Sequence, residues 1–372
     1  MCSRQFMTIT NMSYEHPDVR LFDKPFPGQD LTVREMLLRN GPDTDIDRFI
    51  HSGLGQALLK SYDLQFRYSD GMDPGVVEYW DSIGVLKEEH DKGLRTRWFS
   101  YLPHSALDEA SDKLYPLIIN LPHDPFITEG RGYPMLASTQ EVIVVIPTAA
   151  DIEDIYTLYT KIVDKYKIDK SRVYMSGFSF AGFRTLAFAL RHPEPLAGIA
   201  VNCHLWPYMW RLPSTWIRDH MAGMKMPIIN YEGNTDFAQG IPFNGGFFET
   251  DTPNGSDHVH TAQDSVDRAN LWLGINGCPL VTMDEAMAMK NSGYKWEREL
   301  GLPVWRGETR LVDDTEYHFC DFLSDDDICR TRIVVMDNIP HFEFGSMAQV
   351  AWDFLKGFSR SCDGRSVFNG VS

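Results

Sequence analysis

The sequence predicts an α/β fold built on a mostly parallel sheet, and three observations carry that expectation. Apolar runs of buried-strand type, Tyr115–Leu121 and Glu141–Pro147, alternate with amphipathic helical patterns from residue 115 to residue 231. Such alternation implies right-handed crossovers between parallel strands. Two short alternating runs, Gly84–His90 and Leu94–Leu102, precede them and are joined by Asp91-Lys92-Gly93, a hairpin signature that adds antiparallel strands at one edge.

The elements follow in order. Asp151–Lys167 is an amphipathic helix with Ile152, Ile155, Leu158, Tyr159 and Ile162 on one face. Arg172–Ser176 reads as a strand, Phe180–Arg191 as a helix, and Leu196–Asn202 and Met226–Tyr231 as strands. Asp264–Leu273 is helical, Thr309–Asp321 and Thr331–Met336 are strands, and Ser346–Phe358 is a final amphipathic helix. Residues 1–80 differ from the rest. Thr32–Asn40 and Asp45–Tyr62 have helical spacing, the second with Thr44 or Asp45 as N-cap, and Gly71-Met-Asp-Pro-Gly75 is loop punctuation. This organisation predicts an N-terminal helical extension over 1–80, serving as a cap or an oligomer contact, and a catalytic domain over 81–372.

The bulk properties narrow the function. The 372 residues carry 35 basic and 52 acidic side chains, a net charge of −17, with 43% hydrophobic and 23% charged residues. That is a soluble globular composition, and its charge repels nucleic acid and anionic membrane surfaces. Met1–Arg20 has no apolar stretch of signal-peptide type, and no run approaches the roughly 18 apolar residues of a membrane span. The expected location is therefore cytoplasmic, with the six scattered cysteines as free thiols. Cys320 and Cys329, flanking an acidic segment, could face one another across a hairpin.

Chemistry is concentrated after the Arg172–Ser176 strand. The run Ser176-Gly177-Phe178-Ser179-Phe180-Ala181-Gly182 places one serine between a strand and a helix with small neighbours, the sequence form of a nucleophile elbow. A serine hydroxyl needs a general base, so Ser179 demands a histidine and an acid later in the chain. Asp236 lies beyond the carboxyl end of the Met226–Tyr231 strand, with Glu232 and Asp251 as alternatives. His341 lies between the Thr331–Met336 strand and the last helix. His318 falls within a strand and reads as structural. His258 and His260 are too few for zinc, and no metal or cofactor is expected.

The backbone N–H of Phe180 is one oxyanion donor. The other should come from the loop after Tyr115–Leu121, where Pro122 has no N–H; this leaves Asp124 or His123. Phe178, Phe180, Phe183, Trp216 and the segment Cys203–Trp210 gather aromatic side chains around this point. About half of these should be core and the rest pocket lining. Phe178, His204 and Trp206, with His123, are the candidate substrate contacts. A mixed sheet with an elbow serine is the α/β-hydrolase architecture.

The stretch Tyr166–Gly182 resembles the elbow region of the polyhydroxybutyrate depolymerase and feruloyl esterase-like α/β hydrolases. Trp272-Leu-Gly-Ile-Asn-Gly-Cys278 is similar to that family's Trp…Asn-Gly-Cys segment. Tyr231-Glu-Gly-Asn-Thr-Asp236 resembles its acid loop, and Asn338-Ile-Pro-His341 its histidine loop. The resemblance spans about residues 85–360 and implies Ser179, Asp236 and His341 as a triad. It departs at Pro122-His123, where the family has His-Gly, and at Ile339-Pro340, where it has Gly-Gly. The expected activity is hydrolysis of a small apolar or aromatic ester through an acyl-enzyme, with a homo-oligomer possible. A peptidase of prolyl-oligopeptidase type and a non-catalytic binding member of the fold are the alternatives.

Overall fold

Runs that are apolar except for Asn120 form two central strands: every residue of Tyr115–Leu121 (β3) and Ile143–Pro147 (β4) is buried. The computed structural model describes residues 85–91, 94, 97–121, 132–147, 151–202, 205, 217, 220–221, 223–234, 262–312, 315–337, 339, 343 and 345–370. The predicted extension over 1–80 lies outside them. The chain divides into two compact units; the described part of one runs from residue 85 to 202, resumes to residue 229 and ends with 347–370.

In this unit β1 (Val85–His90) and β2 (Arg97–Leu102) form the expected hairpin, antiparallel with His90 opposite Arg97. β2 runs antiparallel to β4, and β4 parallel to β3. β5 (Ile168–Phe178) lies parallel to β3, and β6 (Gly198–Asn202) parallel to β5. The strand order is therefore β1-β2-β4-β3-β5-β6. An antiparallel edge on a parallel sheet in this order, with a strand–serine–helix turn after β5, is the α/β-hydrolase fold.

Helices fill the crossovers. α1 (Tyr133–Thr139) precedes β4, α2 (Ile152–Lys165) connects β4 to β5, and α3 (Phe180–Arg191) connects β5 to β6. Asp151 caps α2, accepting from the Asp154 N–H at 2.8 Å, and Ile152, Ile155, Leu158 and Ile162 form its buried face. Tyr159, expected on that face, is only partly covered. β5 starts four residues before the predicted strand because Ile168 pairs with Tyr115 in β3.

The other unit contains the described residues of 230–346 together with Leu205. Its strands follow the order β7-β10-β9-β8: β7 (Ile228–Gly233, in this unit from Asn230), β8 (Arg306–Val312), β9 (Thr315–Leu323) and β10 (Cys329–Met336). The predicted single strand Thr309–Asp321 is thus two. Val312 pairs with Thr315, leaving a two-residue link of Asp-Asp, residue types that favour turns over ladders. β9 and β10 are antiparallel, with Cys320 opposite Ile333 and Cys329 opposite Leu323. The two thiols therefore do not face one another, and both are free.

α4 (Ala262–Ile275), α5 (Met283–Ala288) and α6 (Lys295–Leu300) belong to this unit. Trp272 on α4 is fully buried and donates its indole N–H to the Leu205 carbonyl at 2.7 Å. Asn276 donates to Thr331 Oγ1 at 2.9 Å, Gly277 takes φ 69°, and Cys278 is buried. The Trp…Asn-Gly-Cys segment is accordingly a lock between the end of α4 and β10.

The last helix, α7 (Gly345–Leu355), stops short of the predicted Phe358. Gly357 follows it, and Phe358–Arg360 (β11) pairs with Ser366–Phe368 (β12). In the first unit, buried Arg360 ties this ending down by donating to the carbonyls of Leu196, Lys225 and Gly364. Burial lowers its pKa to about 10, outweighing the opposite pull of the Glu194 carboxylate. Among the described residues, no helix is long and apolar enough to cross a membrane.

Candidate active site

Buried Val173, Tyr174 and Met175 commit β5 to the middle of the sheet, so the chain must turn sharply as it leaves. Gly177 permits the turn. A Cβ there would stand 2.5 Å from the Ala181 carbonyl oxygen and 2.7 Å from Thr185 Oγ1. Ser179 adopts φ 52° and ψ −122°, one of three described non-glycine residues with positive φ. That conformation costs an L-residue about 1–3 kcal/mol and persists only when its surroundings hold it.

Two backbone hydrogen bonds to described residues help to hold it. The Ser179 N–H donates to the Asn202 carbonyl at the end of β6, at 2.8 Å, and the Ser179 carbonyl accepts from the Phe183 N–H at 3.2 Å. Beneath the elbow, Ser176 Oγ donates to Asn120 Oδ1 at 2.9 Å, tying β5 to the end of β3. The Ser179 side chain makes no capping hydrogen bond to α3 and is partly exposed. Its hydroxyl is thus presented at the start of a helix whose first N–H groups have no partner within the helix. The Phe180 N–H is the first of these, in the position expected of an oxyanion donor.

The Phe180 side chain is 37% exposed. It meets Phe183 edge-on at 6.4 Å, and the Arg184 guanidinium lies 5.0 Å from its ring centre. Phe178 is buried at the end of β5. Asp236, His341, Asp124, His123, His204 and Trp206 lie outside the described residues, as do Asp251, His258, His260 and Trp216.

The other unit fixes the described residues that lie nearest in sequence to Asp236 and His341. The Asn234 N–H donates to the Met336 carbonyl at 2.9 Å, and its side-chain amide donates to Asp337 Oδ1 at 3.0 Å. A Cβ on Gly233 would stand 2.1 Å from the Ile339 carbonyl oxygen, so only glycine allows these segments to approach this closely. Asp337 also takes a hydrogen bond from His318 Nε2 at 3.0 Å and one from Lys295 Nζ at 2.7 Å. Burial pushes the Asp337 carboxyl up, but these two partners outweigh it and hold its pKa below the ordinary value.

An ionised Asp337 only accepts, so His318 Nε2 carries a proton; its Nδ1 meets Thr309 Oγ1 at 2.8 Å. His318 is fully buried and engaged at both nitrogens, the structural role its strand position predicts. Glu316, His318 and Asp337 bring ligand-type atoms within 4.8 Å of one another. The Lys295 ammonium bonds both carboxylates of this group and supplies the cation it needs. Glu232, an alternative acid, is buried and accepts from the Asn230 amide at 2.7 Å.

No family model matches the chain, and no curated protein does. Solved structures do. An acetyl xylan esterase from Aspergillus awamori aligns over 72% of this chain and 98% of its own, with 13% identity and a TM-score of 0.46. A thermostable esterase aligns over 43% of this chain with 16% identity and a TM-score of 0.33; the matched part of the chain spans about half, 49%, of that esterase. An S-formylglutathione hydrolase from Staphylococcus aureus aligns over 41% of this chain and 80% of its own, with 12% identity and a TM-score of 0.32.

Proposed function

We propose that the chain is a serine hydrolase acting on carboxylic esters through an acyl-enzyme. The observation that carries this reading is the Ser179 backbone, held at φ 52° between β5 and α3. An unstrained turn would connect a strand to a helix more cheaply. Strain kept at an accessible serine is what nucleophile presentation requires.

In this mechanism Ser179 Oγ attacks the ester carbonyl while His341 takes its proton, and the carbonyl oxygen becomes an oxyanion held by the Phe180 N–H. His341 then protonates the departing alkoxide, which leaves as the alcohol. Asp236 orients the imidazole and stabilises its charged form. Water, deprotonated by the same histidine, attacks the acyl-enzyme; the acid leaves and the proton returns to Ser179. The substrate is a small ester with an aromatic or apolar part, suited to the exposed Phe180 beside the nucleophile.

Incubation with a fluorophosphonate and intact-mass analysis tests the reading. The expected result is one covalent adduct mapping to Ser179, absent from Ser179→Ala, which also loses at least about a thousandfold in para-nitrophenyl ester turnover. A folded wild-type chain that takes no label, or a Ser179→Ala variant that keeps its turnover, overturns the proposal.

A further inference from the structure

Arg184 carries a charge that no described carboxylate meets. Arg191, Arg306, Arg330 and Arg332 each meet a carboxylate, while Arg298 and buried Arg360 donate to backbone carbonyls instead. Arg184 makes no ion pair or hydrogen bond with any described residue; its one described contact is the face of Phe180. The chain has 52 acidic residues, yet none of the described ones meets this partly buried side chain.

Helix geometry explains where the charge goes. Arg184 follows Phe180 by four residues, so both lie on one face of α3, and helical side chains lean toward the N-terminus. The guanidinium is thereby carried back over Phe180, the residue after the nucleophile. Summing one Cα–Cα step, the reach of a phenyl ring and the 5.0 Å cation–ring separation places it within about 12 Å of the Ser179 Cα. The positive end of α3 and the cation then act together on one side of the elbow. With a net charge of −17, the protein as a whole repels anions, so any anionic substrate requires a local cation at the reacting centre.

We infer that Arg184 selects esters carrying a second, anionic group, a carboxylate above all, with the Phe180 ring steadying the guanidinium that receives it. The planar guanidinium suits a carboxylate because two N–H groups can donate to its two oxygens. The inference rests on the proposed esterase reading and names the substrate class of that same site.

Two matched pairs of probes test it. On the acyl side, para-nitrophenyl pentanoate is compared with para-nitrophenyl hydrogen glutarate, in which a carboxylate replaces the terminal methyl. On the alcohol side, phenyl acetate is compared with carboxyphenyl acetate. In at least one pair the anionic ester should have the higher kcat/KM, by about tenfold and mainly through KM. Arg184→Gln should collapse that ratio toward one, Arg184→Lys should keep part of it, and rising ionic strength should erode it in the wild type.

A wild type that turns over neutral esters at least as well as anionic ones in both pairs overturns the inference and leaves the esterase reading standing. So does a preference that survives in Arg184→Gln. Absence of turnover on all four esters overturns both.

Discussion

The elbow and the β9–β10 hairpin manage difficult groups in opposite ways. At the elbow the difficulty is conformational: Ser179 is strained, Gly177 has no space for a methyl group, and Arg184, over the Phe180 ring, has no carboxylate partner among the described residues. In the hairpin the difficulty is electrostatic, and the largely buried charges of Asp321, Arg330 and Arg332 each have a partner of opposite sign. Asp321, 3% exposed, takes hydrogen bonds from Arg332 at 2.5 and 2.9 Å and from Arg306 at 2.7 and 3.1 Å. One region holds a group in a poor conformation and keeps it accessible; the other holds charges in poor solvent and satisfies them. Removing a side chain should therefore destabilise the hairpin, whereas at the elbow it should remove function and, with the right replacement, relieve strain.

The largest stability effect is expected at Asp321. Asp321→Ala takes from largely buried Arg332 the carboxylate to which it donates twice, while Arg306, 65% exposed, returns to water. Breaking a buried pair from one side costs about 3–5 kcal/mol, read as a lower midpoint in chemical denaturation. The pH dependence has a definite sign. Burial pushes the Asp321 carboxyl up, but Arg332 and Arg306 outweigh it and hold its folded pKa below the ordinary 3.8. A depressed folded pKa means that the stabilisation is full above the unfolded value and is lost as pH falls below about 4 through the folded one. Asp321→Asn should therefore flatten the acid limb of the stability profile; an unchanged limb would remove Asp321 from the account.

At the elbow, Gly177→Ala should cost less stability but more function. The new methyl group would press on backbone, the Ala181 carbonyl, which moves only if the first turn of α3 moves with it. Overpacking of this kind costs about 1–3 kcal/mol. The distinguishing readout is the rate of fluorophosphonate labelling, which should fall well below that of Asp321→Asn measured on the same folded fraction. Equal labelling rates would mean that the elbow tolerates the shift and that its geometry is not what sets reactivity.

The two regions were not equally legible in the sequence. The elbow is local: a strand, small residues at Gly177, Ala181 and Gly182, and a helical pattern within about a dozen positions. Its constraints therefore show as residue types. The polar network is long-range, since Asn234 and Asp337 are 103 residues apart and Lys295 and Asp337 are 42 apart, and no local pattern announces such pairs. Strand position alone identified His318 as structural.

Short helices were also missed, although α5 begins with a capping box that was available to be read: Thr282 Oγ1 accepts from the Glu285 N–H, and the Glu285 carboxylate accepts from the Thr282 N–H. The split of Thr309–Asp321 into two strands was signalled only by the paired aspartates between Val312 and Thr315. Arg184 stands four residues after Phe180, but its lack of a carboxylate partner among the described residues is a property of the fold and not of the spacing.

The smallest effect isolates the strain itself. Ser179→Ala and Ser179→Gly both remove the hydroxyl, so both should fail to take the fluorophosphonate, and any difference between them reports the backbone. At φ 52° a residue with a Cβ carries a penalty of roughly 1–2 kcal/mol that glycine does not. Glycine gives back part of this because its unfolded chain is freer, by about 0.4–1 kcal/mol. Ser179→Gly should then be the more stable of the two by about 0.5–1 kcal/mol in chemical denaturation, with the hydrogen bond from residue 179 to the Asn202 carbonyl intact in both. If alanine proves equal or better, the elbow stores no strain, and the accessibility of Ser179 rather than its conformation becomes the feature that separates this region from the hairpin.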